Sequence, residues 1–231
     1  MMRPLLKRLS RVIPTSLLQR ILLSRSVREN FPNAAQSPSF PDRAALWQDL
    51  FAKHLSGPLC VLEFGVWQGD SLRSFTQFNT HPDSRFFGFD SFEGLPEDWR
   101  PGFAKGAFST QGAPPDIRDA RVRFVKGWFN QTFEPFVAEQ PELFASIAEG
   151  RRTLFVHFDA DLFSSTLYLL AALAFTVPDY YFVFDEFHGD ESQALAITRN
   201  AFGMEVEFYG HNAFPAAAGV ARVSGRIRKR P

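Results

Sequence analysis

Four short apolar runs in this chain end on or beside a carboxylate. Leu59–Phe64 carries Glu63 next to its last residue, and Arg85–Asp90 ends on Asp90. The run 154–159 ends on Asp159 with Asp161 two residues on, and 180–185 ends on Asp185 with Glu186 behind it. Each is rich in Phe and Val, as strands buried on both faces of a sheet are. A fifth run, 121–125, falls between the second and third. Segments of helix length accompany them at Asp70–Phe78, 132–148, 165–175 and 190–202. Such alternation predicts an α/β fold in which a doubly wound, mostly parallel sheet carries helices on both faces. The runs 205–209 and 219–223 would close it with an antiparallel strand. A chain of 231 residues holds one such domain and is short for two.

Phenylalanine occurs 27 times against four tyrosines and four tryptophans, much of it inside the apolar runs, so it is expected to fill the core. The single cysteine, Cys60, excludes an intrachain disulfide and a multi-cysteine metal site, and it favours a reducing, cytoplasmic setting. Inside the first strand it reads as a small buried hydrophobe. The formal net charge of zero conceals an asymmetry. Residues 1–28 hold seven basic and no acidic side chains, and residues 222–231 hold five more basic ones, which leaves 13 basic against 25 acidic groups between them. An acidic body argues against nucleic acid as a ligand, because tracking phosphates needs a positive surface.

Residues 1–28 alternate Leu and Ile with Arg at spacings that suit one or two amphipathic helices broken near Pro14. No apolar run there approaches the roughly 18 residues of a spanning helix, and Arg20 interrupts what a secretory signal would need. Three readings stay open: a helix packed on its own domain or on a second subunit of a homo-oligomer, a helix lying on a membrane surface, or an organellar transit peptide. Residues 29–43, with Pro32, Pro38 and Pro41, read as an extended linker. The expected division is therefore 1–43 as basic segment and linker, 44–225 as the domain and 226–231 as a basic tail. Residues 44–55 have helical spacing. The stretch 97–120 is rich in Gly and Pro, and a loop that long inside a compact domain is more often a lid or binding loop than filler.

In a doubly wound sheet the ligand lies beyond the carboxyl ends of the strands. The strand-end acids would meet there, and titratable groups gathered in a cleft mark function. The turn Glu63-Phe64-Gly65-Val66-Trp67-Gln68-Gly69-Asp70-Ser71 bends on two glycines four apart and opens a helix. It departs from the dinucleotide-binding G-x-G-x-x-G pattern by setting an acid ahead of the glycines and by lacking the third glycine. Glu63 would repel a pyrophosphate and suit a ligand bearing an ammonium, while Asp90 is placed to accept hydrogen bonds from ribose hydroxyls. These residues point to S-adenosylmethionine rather than a nicotinamide dinucleotide.

Four stretches in order then carry a resemblance: 87–96 (FGFDSFEGLP), Val125-Lys126-Gly127-Trp128-Phe129 with Thr132, 158–166 (FDADLFSST), and Asp185-Glu186. Over about residues 58–202 the chain resembles the class I S-adenosylmethionine-dependent methyltransferases, with their Rossmann-like fold, and among them the macrocin-type sugar O-methyltransferases. The resemblance implies methyl transfer to a hydroxyl of a sugar or similar small polyol. It implies cofactor contacts from Glu63, Gly65, Gly69, Ser71, Asp90, Ser91 and Asp159. It also implies a divalent cation, usually magnesium (Mg2+), held by Asp159, Asp185 and Glu186. Such a hard cation takes oxygen ligands and lowers the pKa of a coordinated hydroxyl. Where the family commonly has two adjacent aspartates after the fifth strand, this chain has Asp185-Glu186, whose second arm is one methylene longer.

Asp161 is open to three roles: general base, further metal ligand, or cap of the helix starting near Ser164. His157, mid-strand among Phe and Val, reads as a core histidine. His188, in the loop behind the acid pair, is a candidate for a base or for a contact to a metal ligand. Two rival readings share the fold: a catechol- or phenol-type O-methyltransferase, and a noncatalytic protein that keeps the fold without turnover. A nicotinamide-dependent oxidoreductase is disfavoured by the glycine spacing.

Overall fold

Among the residues that the computed structural model describes, 27–187, 189–213 and 220–229, eight strands form one sheet. In chain order the elements are β1 (Ser39–Phe40), α1 (Arg43–His54), β2 (Leu59–Phe64), α2 (Asp70–Phe78), β3 (Arg85–Asp90), β4 (Val122–Lys126) and α3 (Phe129–Glu139). Then follow α4 (Pro141–Ala148), β5 (Thr153–Phe158), α5 (Phe163–Thr176), β6 (Asp179–Phe184), α6 (Asp190–Phe202), β7 (Met204–Asn212) and β8 (Arg222–Lys229). The strand order is β1-β7-β8-β6-β5-β2-β3-β4, and β8 runs antiparallel to both β6 and β7 while the other pairs are parallel. This is the doubly wound, Rossmann-like sheet with an antiparallel closing strand that the sequence predicts.

β2 sits between β3 and β5, with Phe64 level with Phe89 on one side and Phe158 on the other. All its residues are buried, because alternate side chains serve two cores. Cys60, Leu62 and Phe64 join the one built with Phe89, Phe133, Phe158 and Phe184. Leu59 and Val61 join the other, with Trp47 and Phe51 of α1, Phe75 of α2 and Phe155 of β5. Burying one such phenylalanine stabilises the fold by about 1.5–3 kcal/mol. α1 begins where the Ala45 amide donates to Asp42 Oδ1 at 2.8 Å, and its buried stripe of Leu46, Trp47, Leu50 and Phe51 lays it on the sheet. The Cys60 thiol is fully buried, and desolvation pushes its pKa up to about 12, as befits an inert core residue.

From β2 the chain winds outward to β3 and β4, then crosses back to place β5 on the other flank of β2. That reversal opens a crevice at the carboxyl ends of β2 and β5, the place where such sheets receive a ligand. Gly65, at φ 92°, turns the chain out of β2 there, and a β-carbon on it would strike the Asp159 carbonyl.

Three stretches differ from the sequence expectations. Residues 29–43 are not a bare linker: Phe31 packs on Phe187 and Phe208 with ring centroids 5.4 and 5.7 Å apart, and Ser39–Phe40 pair with β7. The flanking prolines that argued for a linker are tolerated because β1 is a short edge strand. The helix expected over 132–148 is two, because Pro141 has no amide to continue α3 and instead opens α4. The closing strand lies at Arg222–Lys229 rather than 219–223, so most of the expected basic tail is in the sheet. Acids on the neighbouring strands make that favourable: Arg226 Nε and Nη2 donate to Asp179 at 2.7 and 2.5 Å, and Arg228 lies 3.4 Å from Glu207. Residues 1–26 and His188 lie outside the described residues, and with them most of the expected amphipathic segment. Among the described residues no helix is long and apolar enough to cross a membrane.

Candidate functional site

A cavity of about 760 Å³ opens at the carboxyl ends of the central strands. The turns after β2, β3 and β4 supply Gly65, Trp67, Asp90, Ser91, Gly127 and Trp128 to its lining. The ends of β5 and β6 supply Asp159, Asp161, Asp185 and Glu186. The irregular stretch expected as a lid or binding loop contributes Glu97, Trp99, Arg100, Lys105 and Phe108. Of the residues singled out from sequence, the fold thus gathers Gly65, Asp90, Ser91, Asp159, Asp161, Asp185 and Glu186 around one space. Glu63, Gly69 and Ser71 do not line it.

Asp90 is held by backbone amides. Its Oδ2 accepts from Val66 and Trp67 at 2.8 and 2.9 Å, and its Oδ1 accepts from Phe92 at 2.7 Å. The carboxylate therefore fixes the turn after β2 to the end of β3, and one lone-pair direction is left for a ligand donor. Trp67, in that turn, has a left-handed backbone (φ 48°) and is 45 % exposed, an unusual state for a bulky residue.

Glu63 has another task. It lies one residue inside β2, so it faces the α1–α2 side, away from Phe64. Its Oε1 is 2.8 Å from His157 Nδ1, both side chains are fully buried, and the rings of Trp47 and Phe75 stand edge-on to the imidazole. Burial raises the Glu63 carboxyl, against hydrogen bonds from His157 and Ser71 that lower it. His157 is thus the core histidine its surroundings predicted, with Glu63 as its partner.

The β5–β6 side is a collection of acids. Burial raises the Asp159 carboxyl well above its usual range, and the charges of Asp185, Asp161, Glu63 and Glu186 add to the effect. Asp161 has φ 59°, a conformation that aspartate adopts more readily than most side chains. Burial and then the charge of Glu186 push its pKa up to about 7, against the opposing pull of Arg100. The N-cap of α5 is Leu162, with no side-chain capping bond, so Asp161 is not the helix cap and the base and ligand roles remain. Asp185 Oδ1 accepts from Arg222 Nε at 2.7 Å, and Glu186 Oε2 lies 3.5 Å from Arg100 Nη1.

Sequence reasoning missed Glu191, Arg222, Trp99 and Arg100. Glu191 is fully buried behind the wall, where its Oε2 accepts the Glu186 amide at 2.9 Å. Its carboxyl too is driven well up, first by burial and then by the charges of Asp159, Asp185 and Asp161. The repeated dipeptide Asp185-Glu186 and Asp190-Glu191 was the available signal. Arg222 looked like part of a basic terminus, and Arg100 like one charge in a loop.

The donors suit a hard cation in kind: Asp159, Asp185 and Glu186 offer only carboxylate oxygens, and burial, with neighbouring negative charge added, raises the proton affinity of Asp159 and Glu186. As they lie, with Arg222 on Asp185 and Arg100 on Glu186, no three such side chains among the described residues are placed to hold a metal ion.

No family model and no curated protein matches the chain. Among solved structures it aligns with CmcI in its apo form, at 17% identity and a TM-score of 0.50 over 83% of this chain and 72% of that one. It aligns with an apo TDP-rhamnose 3'-O-methyltransferase of calicheamicin biosynthesis at 19% identity and a TM-score of 0.46, over 78% and 75%. An rRNA methylase from Streptococcus thermophilus follows at 10% identity and a TM-score of 0.45, over 83% and 99%. At such identities the likeness speaks for the fold, and a fold does not name a reaction.

Proposed function

We propose that this chain is an S-adenosylmethionine-dependent O-methyltransferase whose acceptor is a hydroxyl of a sugar or similar small polyol, assisted by a divalent cation, Mg2+ by preference. One observation carries the reading: a single cavity at the switch point joins the amide-bound Asp90 and the Gly65 turn to the acids Asp159, Asp161, Asp185 and Glu186. The motif resemblance of residues 58–202 supports the same assignment. When bound, the sulfonium supplies an activated methyl group, and the cation makes a coordinated hydroxyl more acidic.

The residues divide the work. Asp90 has a free lone-pair direction for ribose hydroxyls, and Gly65, which has no room for a β-carbon against the Asp159 carbonyl, lets the turn after β2 pass close to the end of β5. Glu63, bound to His157, acts as a brace under this turn. Asp159, Asp185 and Glu186 would hold the cation through carboxylate oxygens. Asp161, with a pKa near neutrality, takes the acceptor's proton. Fixed at the ends of β5 and β6, these acids would hold the acceptor oxygen in line with the methyl group.

Calorimetry with S-adenosylmethionine and S-adenosylhomocysteine tests the donor half: tight binding of both is expected, and no heat at millimolar ligand would sink it. Transfer of labelled methyl to simple glycosides tests the acceptor half. The rings of Trp99 and Phe108 in the lining also suit a phenolic acceptor. Labelling of catechol in preference to every glycoside would favour that second reading.

A further inference from the structure

Three large apolar side chains stand exposed among the described residues: Trp67 at 45%, Ile197 at 52% and Phe175 at 78%. Ile197 and Phe175 lie on the helices α6 and α5, and Trp67 alone of the three lines the cavity. Its backbone is left-handed, and so is that of Phe108 at φ 66°, whose ring stands edge-on to the indole with centroids 5.7 Å apart. Of the five residues other than glycine with positive φ among the described residues, Trp67, Phe108 and Asp161 line this one space. Such a backbone costs free energy, and a half-exposed indole recovers little of it by burial. Both sides of the contact are fixed all the same. The Trp67 amide donates to Asp90 Oδ2 at 2.9 Å, and Phe108 stacks on Phe103 at 5.3 Å in a loop closed by backbone hydrogen bonds from Leu95 to Ala107 and from Gly106 to Leu95.

We propose that Trp67 and Phe108 form the platform on which the ring of a pyranose acceptor lies, and that Trp67 is the residue that selects it. The inference rests on the sugar O-methyltransferase reading above, and it needs no metal ion. Trp67 stands two residues past Gly65 in the turn proposed for the methyl donor, so a ring resting on it lies beside the group to be transferred. A pyranose has two unlike surfaces. Its faces carry C–H groups, which suit the electron-rich face of an aromatic ring, and its rim carries hydroxyls. The cavity answers both. Asp159 and Asp161, also in the lining, meet no hydrogen-bond donor with their carboxylates among the described residues, and a carboxylate accepts hydroxyl protons. A phenol would fit the same platform but brings fewer hydroxyls to these oxygens. Because the two rings are already fixed, a ligand that rests on them spends little free energy on ordering the site.

Transfer of labelled methyl to methyl hexopyranosides by the full-length chain, beside calorimetry with S-adenosylhomocysteine, tests this. Trp67→Gly suits the left-handed backbone and removes the indole. It is expected to raise KM for the glycoside about tenfold with a far smaller change in kcat, and to bind S-adenosylhomocysteine within about twofold of the parent. Trp67→Phe, which keeps a ring, should hold KM within about threefold of the parent value. Phe108→Ala, on the other half of the platform, should raise the same KM severalfold, and it carries the test if the glycine variant does not fold. An unchanged glycoside KM overturns the proposal. So does a loss of S-adenosylhomocysteine affinity in step with KM, which would make the indole part of the donor site. A parent that binds S-adenosylhomocysteine but methylates none of the hexopyranosides overturns the platform and leaves the donor reading standing. A parent that binds no S-adenosylhomocysteine at millimolar concentration overturns both.

Discussion

The strands on either side of β2 each deliver an aspartate to the cavity, and the two aspartates are in opposite conditions. Asp90, at the end of β3, accepts three backbone amides at 2.7–2.9 Å. Asp159, just past β5, meets no hydrogen-bond donor with its carboxylate among the described residues; burial and neighbouring acids raise its proton affinity. A carboxylate held by three of the protein's own amides is a fixed clasp that shapes a turn and keeps one direction for a ligand. One surrounded by other acids is a place where charge awaits neutralisation by a proton, a cation or a substrate hydroxyl.

The comparison can be broken most decisively at Asp159. Asp159→Ala is expected to lower methyl transfer about a thousandfold and to abolish Mn2+ binding, with S-adenosylhomocysteine still bound; activity within tenfold of the parent would dissolve the acid wall as a functional unit. Next comes Asp90→Ala, which strands three amides. It is expected to cost about 2–3 kcal/mol in denaturant unfolding and to weaken S-adenosylhomocysteine in calorimetry.

Asp161→Asn should act in the opposite sense on stability. The folded-state pKa is lifted to about 7 from 3.8, so the folded protein holds this proton more tightly than the unfolded chain. The stability that Asp161 contributes is therefore full in acid and is lost as pH rises through that window. Asn removes the dependence: the variant should be more stable than the parent by on the order of 2 kcal/mol at about pH 8 and no more stable at about pH 4. Thermal melts across that range check the sign, and Mg2+ should stabilise the parent above neutrality. The smallest effect is expected from Ser164→Ala, which removes the bond to Glu97 at the exposed rim and should cost no more than about 1 kcal/mol.

The central strands were legible because Phe- and Val-rich runs buried on both faces have few alternatives to a parallel sheet. The positions of Asp90, Asp159, Asp185 and Glu186 followed, since a strand-end acid in such a sheet reaches the crevice whatever surrounds it. Glu63 did not follow: one position inside the strand, it obeys the two-residue alternation and faces the other core. Its partner His157 is level with it on β5, a pairing that depends on register rather than on local pattern. Arg222 and Arg100 were illegible for a related reason. Each reaches its acid across a long separation in sequence, and composition made one look like a tail and the other like a loop charge. The basic end misled because its charges answer Asp179 and Glu207 on neighbouring strands, which only the strand order reveals.

The two residues of β1 have a practical consequence. They cover β7 where it would otherwise present bare amides and carbonyls, and the His211 amide also donates to the Pro38 carbonyl at 2.9 Å. A chain trimmed to begin at residue 44, the boundary that the prolines invite, would lose this cover together with Phe31. It would leave Phe187 and Phe208 less protected and β7 open to pairing with another copy. Self-association of such a fragment would then report a cut made through the sheet, not a natural oligomer.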